Sequence, residues 1–261
     1  MTVYVFAGPS LPPEVAREYW AKPVYLPPVA QGDVYRIARR KPWGIGIIDG
    51  LFERVPSVWH KEILWAMCRG IHVYGSASMG ALRSAELAAF GMVGVGTIFE
   101  DYAKAAIEDD DEVIRVHSGA AKNYEPTGEA MVNIRGTVAK AVEERIISKA
   151  TAERLAQIGK GFFYRQRQYE RILDEGLRQG LSVAELQRFR KWLPAGRVDQ
   201  QRKDAIAMLT RMREDWGAQP RRKRVNFSLE YTKYWDRVQR GVRSGRAETP
   251  KGVRRASSKN S

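Results

Sequence analysis

The chain has one cysteine in 261 residues, no run of some 18 apolar residues, and too few acids to balance its bases. A single thiol, Cys68, excludes an internal disulfide framework and a cysteine-built zinc site. Beside Ala66 and Met67 it reads as a packing residue of a helix. Without a long apolar run there is no membrane-spanning helix to expect. Val3-Tyr4-Val5-Phe6-Ala7 follows the start at once, leaving no room for the basic segment of a leader, so the expectation is a soluble, cytoplasmic protein. No loop spells a P-loop or a dinucleotide fingerprint, so no nucleotide cofactor is expected. No spacing of His, Asp and Glu resembles a ligand set either, and the acidic run Glu108 to Glu112 reads as a solvated loop rather than a metal site.

The excess of base is uneven. The net charge is +14, but from Arg221 to Ser261 thirteen Lys and Arg stand against three acids, a surplus of ten that leaves four for the first 220 residues. This makes the basic character largely a property of a tail, 221–261. Its last twenty or so residues are poor in apolar side chains and rich in like charge, a composition that predicts disorder. The aromatic residues Phe227, Tyr231, Tyr234 and Trp235 interleave with arginines there, a pattern that suits RNA or an acidic protein as well as simple solubilisation.

The first third alternates strands with helical segments. Strands are expected at Val3 to Ala7, Ile45 to Ile48 and Ile71 to Tyr74, with helices at Pro13 to Trp20 and Ser57 to Arg69. Such alternation argues for an α/β fold with parallel strands joined by helical crossovers. A fourth strand is expected at Glu112 to His117 on the β-formers Val113, Ile114 and Val116. From Val138 onward the spacing of apolar residues is helical. Thr151 and Ser182 are expected caps, and Asp199 to Asp215 an amphipathic helix. The organisation expected is an α/β core over 1–135 with a parallel sheet, a helical region over 136–220 packed on it, and the tail.

In an open parallel sheet the ligand crevice lies beyond the carboxyl ends of the strands. Three loops fall there: Gly8-Pro9-Ser10, Asp49-Gly50, and Gly75-Ser76-Ala77-Ser78-Met79-Gly80-Ala81. The last joins a strand to a helix by a sharp turn, the setting in which a chain presents a nucleophilic serine. Gly80 stands two residues after Ser78 as the elbow pattern asks, but Ser76 replaces the glycine two before it. Gly8, Ser10 and the Met79 amide are the candidates to hold an oxyanion or substrate.

A serine hydroxyl needs a base. Lys61 lies one turn into the helix from Ser57, near the carboxyl edge of the sheet, where the positive end of the helix dipole favours an uncharged amine. His60 points about 100° away on the same helix and is a candidate to orient substrate. His117, with Asp111 or Glu112, is the rival partner for Ser78, and His72 reads as a packed core histidine.

Seven blocks carry a resemblance: Val5 to Leu11, Ile48-Asp49-Gly50, His60 to Leu64, Gly75 to Leu87, Phe90-Gly91-Met92, Gly94-Val95-Gly96, and Asp111-Glu112-Val113 with His117. In order and spacing they resemble TfuA-like proteins. Fainter similarity continues in Asn133-Ile134-Arg135, Lys160 to Arg167 and Gln201 to Ala205. The resemblance implies a partner of YcaO enzymes in backbone thioamidation of ribosomally made peptides. There the ATP-dependent YcaO cyclodehydratase activates an amide of the precursor peptide. The TfuA-like partner hydrolyses the C-terminal thiocarboxylate of a ubiquitin-fold sulfur carrier protein through a Ser-Lys pair. It implies Ser78 as the serine and Lys61 as the lysine, with Lys160 and Lys203 also in similar segments, and no cofactor for this chain itself. A non-catalytic adaptor that brings peptide to YcaO is the alternative.

Overall fold

The computed structural model describes residues 1–52, 55–116, 118, 127–218 and 221–243. Five parallel strands form one sheet in the order β2-β1-β3-β4-β5: β1 (Val3–Phe6), β2 (Val24–Leu26), β3 (Gly44–Ile47), β4 (His72–Gly75) and β5 (Val93–Gly94). Helices α1 (Pro13–Tyr19), α2 (Asp33–Ala38), α3 (His60–Cys68), α4 (Met79–Leu87) and α5 (Thr97–Ala103) interleave with the strands. From β1 the chain steps outward to β2, then returns to place β3 on the other side of β1. The strand order therefore reverses between β1 and β3, which puts the crevice of an open parallel sheet between their loops.

The strands are apolar on both faces, as a doubly covered parallel sheet requires. Tyr4, Phe6, Ile45, Ile47 and Val73 pack with α2 and α3 on one side. Val3, Val5, Ile48 and Tyr74 pack on the other. That second face is covered by α1 and by α10 (Gln200–Gly217), whose Ala205, Met208, Leu209 and Met212 are fully buried. Gly46 makes this approach possible, because a Cβ there would lie 2.9 Å from the Met212 sulfur and 3.0 Å from the Met208 methyl. The remaining helices, α6 (Met131–Glu143), α7 (Lys149–Gly161), α8 (Tyr169–Arg178) and α9 (Val183–Gly196), enclose a separate core around Ile134, Leu155, Leu173 and Phe189.

Several expectations are corrected. β2 is an unforeseen strand, only three residues long and bracketed by Pro23 and Pro27. The stretch expected as a strand at Glu112 to His117 begins as a 3-10 turn, Asp110–Glu112, because its charged residues are drawn into ion pairs rather than a ladder. His117 itself lies outside the described residues. Ser148, not Thr151, caps α7 by accepting the Thr151 amide, whereas Ser182 does cap α9. Cys68 is exposed at the end of α3 rather than packed.

Residues 221–243 belong to the fold. The Lys223 amide donates to the Gly70 carbonyl at 3.1 Å, and Val225 and Phe227 pack against the α2–α3 core. A final helix, α11 (Lys233–Arg243), buries Trp235 against Tyr35 and Trp65, with ring centroids 5.3 and 6.4 Å away. The expectation for the last twenty or so residues lies almost wholly outside the described ones. Among the described residues, no helix is long and apolar enough to cross a membrane.

Candidate functional site

The turn after β4 is held by backbone, not by side chains. A Cβ on Gly75 would run into the Gly80 carbonyl, and one on Gly80 into the Ile47 carbonyl, so only glycine fits at either end. Ala77 sits in the left-handed region at φ +65, a conformation that costs an alanine about 1 kcal/mol. Ser78 then starts α4. The amides of Gly80, Ala81 and Leu82 find carbonyls of Ile48, Ser76 and Ser78 at 3.3, 3.0 and 3.3 Å. The Met79 amide, also one of the helix's unbonded first N–H groups, finds no acceptor among the described residues.

Sequence reasoning expects Ser78 to stand exposed, and here the structure corrects it. Ser78 is 5% exposed, and its hydroxyl donates to the Val113 carbonyl at 3.2 Å. The Gln201 side-chain amide donates to the same oxygen at 2.8 Å. That bond fixes which end of the Gln201 amide is nitrogen and leaves its Oε1 buried with no hydrogen-bond partner among the described residues.

Next to the Ser78 turn, in the loop of the neighbouring strand β3, lies Asp49, which reaches across the point where the strand order reverses to the β1 loop. Its carboxylate accepts the Ser10 hydroxyl at 2.6 Å and the Ser10 amide at 3.1 Å. Complete burial pushes the Asp49 carboxyl up to about 6, against hydrogen bonds from Ser10 and from the Gly8 amide and the distant charge of Arg115. The amides of Gly8 and Ser10, expected as oxyanion donors, are thus aimed at Asp49. The sequence places Asp49 in the crevice loops without pointing to a role there. Its only signal is an acid directly after a fully apolar strand.

The predicted bases are dispersed. Lys61 donates from Nζ to the Thr232 hydroxyl at 3.2 Å, towards the C-terminal segment. His60 Nε2 meets Glu86 at 2.7 Å, and Arg83 shares that carboxylate at 2.7 Å. Lys203 is exposed on α10. Lys160 comes nearest in the network, since it binds Glu112, next to Val113. Its Nζ reaches Asp109 at 2.9 Å, Glu112 at 3.0 Å and Asp111. Burial pulls Lys160 down, but its bonds to the three carboxylates outweigh that and hold it above its ordinary value. Among the described residues no lysine is hydrogen-bonded to Ser78. His72, expected in the core, bonds the Arg221 carbonyl at 2.9 Å.

Two clefts open at this edge. One, of about 350 Å³, is lined by Phe52, Ser57, Met79, Leu82, Arg83 and Glu86 among others. The second, of about 560 Å³, runs on from Phe52 and Ser57 to Ile114, Lys160 and Phe163. Residues 49–168, which span Asp49, the elbow, both clefts and Lys160, match the TfuA-like protein family. Over that segment the chain is similar to TfuA-like proteins. The match begins at the Asp49 loop and ends just past Arg167, so the matched segment lies on β4, β5 and the helices from α3 to α7. The chain has no match among curated proteins. The family match implies a role alongside YcaO in thioamidation.

Proposed function

We propose that this protein supplies sulfur to a YcaO enzyme by hydrolysing the thiocarboxylate of a ubiquitin-fold carrier, with Ser78 as nucleophile. The observation that carries the reading is the backbone-locked turn that sets Ser78 at the head of α4, where the loops of β1, β3 and β4 converge. In the proposed reaction the Ser78 oxygen attacks the thiocarboxylate carbon and its proton passes to a base. Hydrosulfide leaves, and water then cleaves the ester to return a carboxylate and the free serine. The Met79 amide is the donor still available to the developing oxyanion. With Lys61 as the base, as the family resemblance implies, Lys61 has to leave Thr232 and Ser78 has to leave Val113 before proton transfer.

Burial of Ser78 favours a second reading, the adaptor that holds precursor peptide and YcaO together without chemistry of its own. Sulfide release from a thiocarboxylated carrier separates the two. Ser78→Ala should abolish release, and Lys61→Ala should reduce it at least about tenfold. Wild-type rates in both folded variants would sink the hydrolase and leave the adaptor. A tail truncation testing the adaptor should begin after Arg243, because an earlier cut removes or shortens α11, the helix that buries Trp235.

A further inference from the structure

The group that buries Ser78 is not part of the sheet. Val113 belongs to a strip, Asp109 to Val116, that crosses the carboxyl edge, and three cations from the helical region fasten the strip down. Lys160 of α7 binds Asp109, Asp111 and Glu112. Arg135 of α6 takes both Glu112 oxygens at 2.9 Å. Arg167 binds the Asp111 carboxylate and donates to the Asp111 carbonyl at 2.7 Å. Towards the elbow, among the described residues, the strip makes one hydrogen bond, at the Val113 carbonyl, and packs the Val113 side chain in a small cluster with Ala81.

We infer that this strip is a cover over Ser78 and that Lys160 is its releasable clasp. Of the three cations Lys160 is the one that lines a cleft, together with Phe52, Ile114 and Phe163. Ile114 is the residue after Val113, so an occupant of that cleft presses on the clasp and on the covering residue at once. The Lys160 pairs are partly exposed, and such pairs are individually weak and screened by salt, so their release frees the acidic end of the strip. Lifting Val113 then takes it out of a small cluster with Ala81, Ile98 and Val132, while the sheet and helical cores stay packed. The anchors that stay are Arg167, fully buried against Asp111, and Arg115 of the strip itself, which pairs with Glu129 and Asp199. The functional meaning of the cover rests on the reading of Ser78 as nucleophile, but its existence does not.

The test therefore measures access rather than catalysis. Ser78→Cys in a Cys68→Ala background leaves one thiol, at position 78, and its rate of reaction with a small maleimide reports opening of the strip. Against an exposed model thiol, labelling should be at least about 100-fold slower in this parent. It should quicken about tenfold when Lys160→Met is added, and severalfold in the parent when salt rises from 0.05 to about 0.5 M. Labelling of the parent at the free-thiol rate would show that there is no cover. Insensitivity both to Lys160→Met and to salt would show that Lys160 does not clasp it. Should Lys160→Met fail to fold, the salt series decides alone. If access is gated as described yet Ser78→Ala still releases sulfide, the cover stands and the nucleophile assignment falls.

Discussion

Two acidic centres flank the elbow, and the same chemical group behaves oppositely in them. Asp49 is buried among neutral donors, the hydroxyl and amide of Ser10 and the amide of Gly8, and its carboxyl is raised to about 6. Asp111 and Glu112 also lose solvation, but Lys160, Arg167 and Arg135 outweigh that and hold both below the ordinary carboxylate range. Dipoles hold a carboxylate in place without making its charge cheap, whereas cations make the charge itself favourable. One centre is thus a loop clamp with a proton to trade near neutrality. The other stays ionised at neutral pH and works as a fastener.

The largest test of that contrast is Asp49→Ala, which strands three donors and should cost about 3 kcal/mol at pH 5 in urea unfolding. Because the folded carboxyl titrates above its unfolded value, the wild type holds its advantage at low pH. It loses roughly 3 kcal/mol of it as pH rises from about 4 through about 6 and beyond. The penalty of Asp49→Ala should therefore shrink by pH 8; a penalty that grows with pH would mean that Asp49 is held as a stable anion. Glu62 sharpens the point. It is buried under amides of Gly32, Tyr35 and Trp59, and burial raises it to about 7 against those bonds. Glu62→Gln should flatten the fall in wild-type stability between about pH 4.5 and 8.

Next in size, Lys160→Ala should cost about 1–2 kcal/mol at pH 7, discounted for partial exposure. Its pH trend has the reverse sign. Lowered carboxyls give stability that is present above about pH 4 and lost as they protonate, so this penalty should vanish in acid. Smallest is the exposed pair of Glu100 on α5 and Lys104 just past its end, 3.4 Å apart, where Lys104→Ala should change stability by less than about 0.5 kcal/mol.

What could be read from the sequence was whatever the backbone imposes locally. Strands β1, β3 and β4, their parallel sense and the turn at Gly75 to Gly80 follow from residue type over a few positions, and the crevice loops follow from the sheet; the short β2 and β5 do not. Long-range pairing was not legible. Nothing near Glu108 to Glu112 says that a lysine some fifty positions later will neutralise the run, which is why it reads as a solvated loop. Nothing near Ser78 says that the Val113 carbonyl will close over it. The basic surplus past Arg221 hid Trp235, because composition averages over a segment while one indole among aromatic partners is enough to dock it.

The bare strand position at Gly46 has a practical bearing. Met208 and Met212 lie flat on it, so a helix encoded near residue 200 completes the layer begun at residue 3. A fragment stopped at residue 135 would be left with an open, greasy trough along its sheet. Expressed separately, the two pieces should become soluble only when mixed, as in a complementation pair, and peroxide acting on those thioethers should drive them apart again.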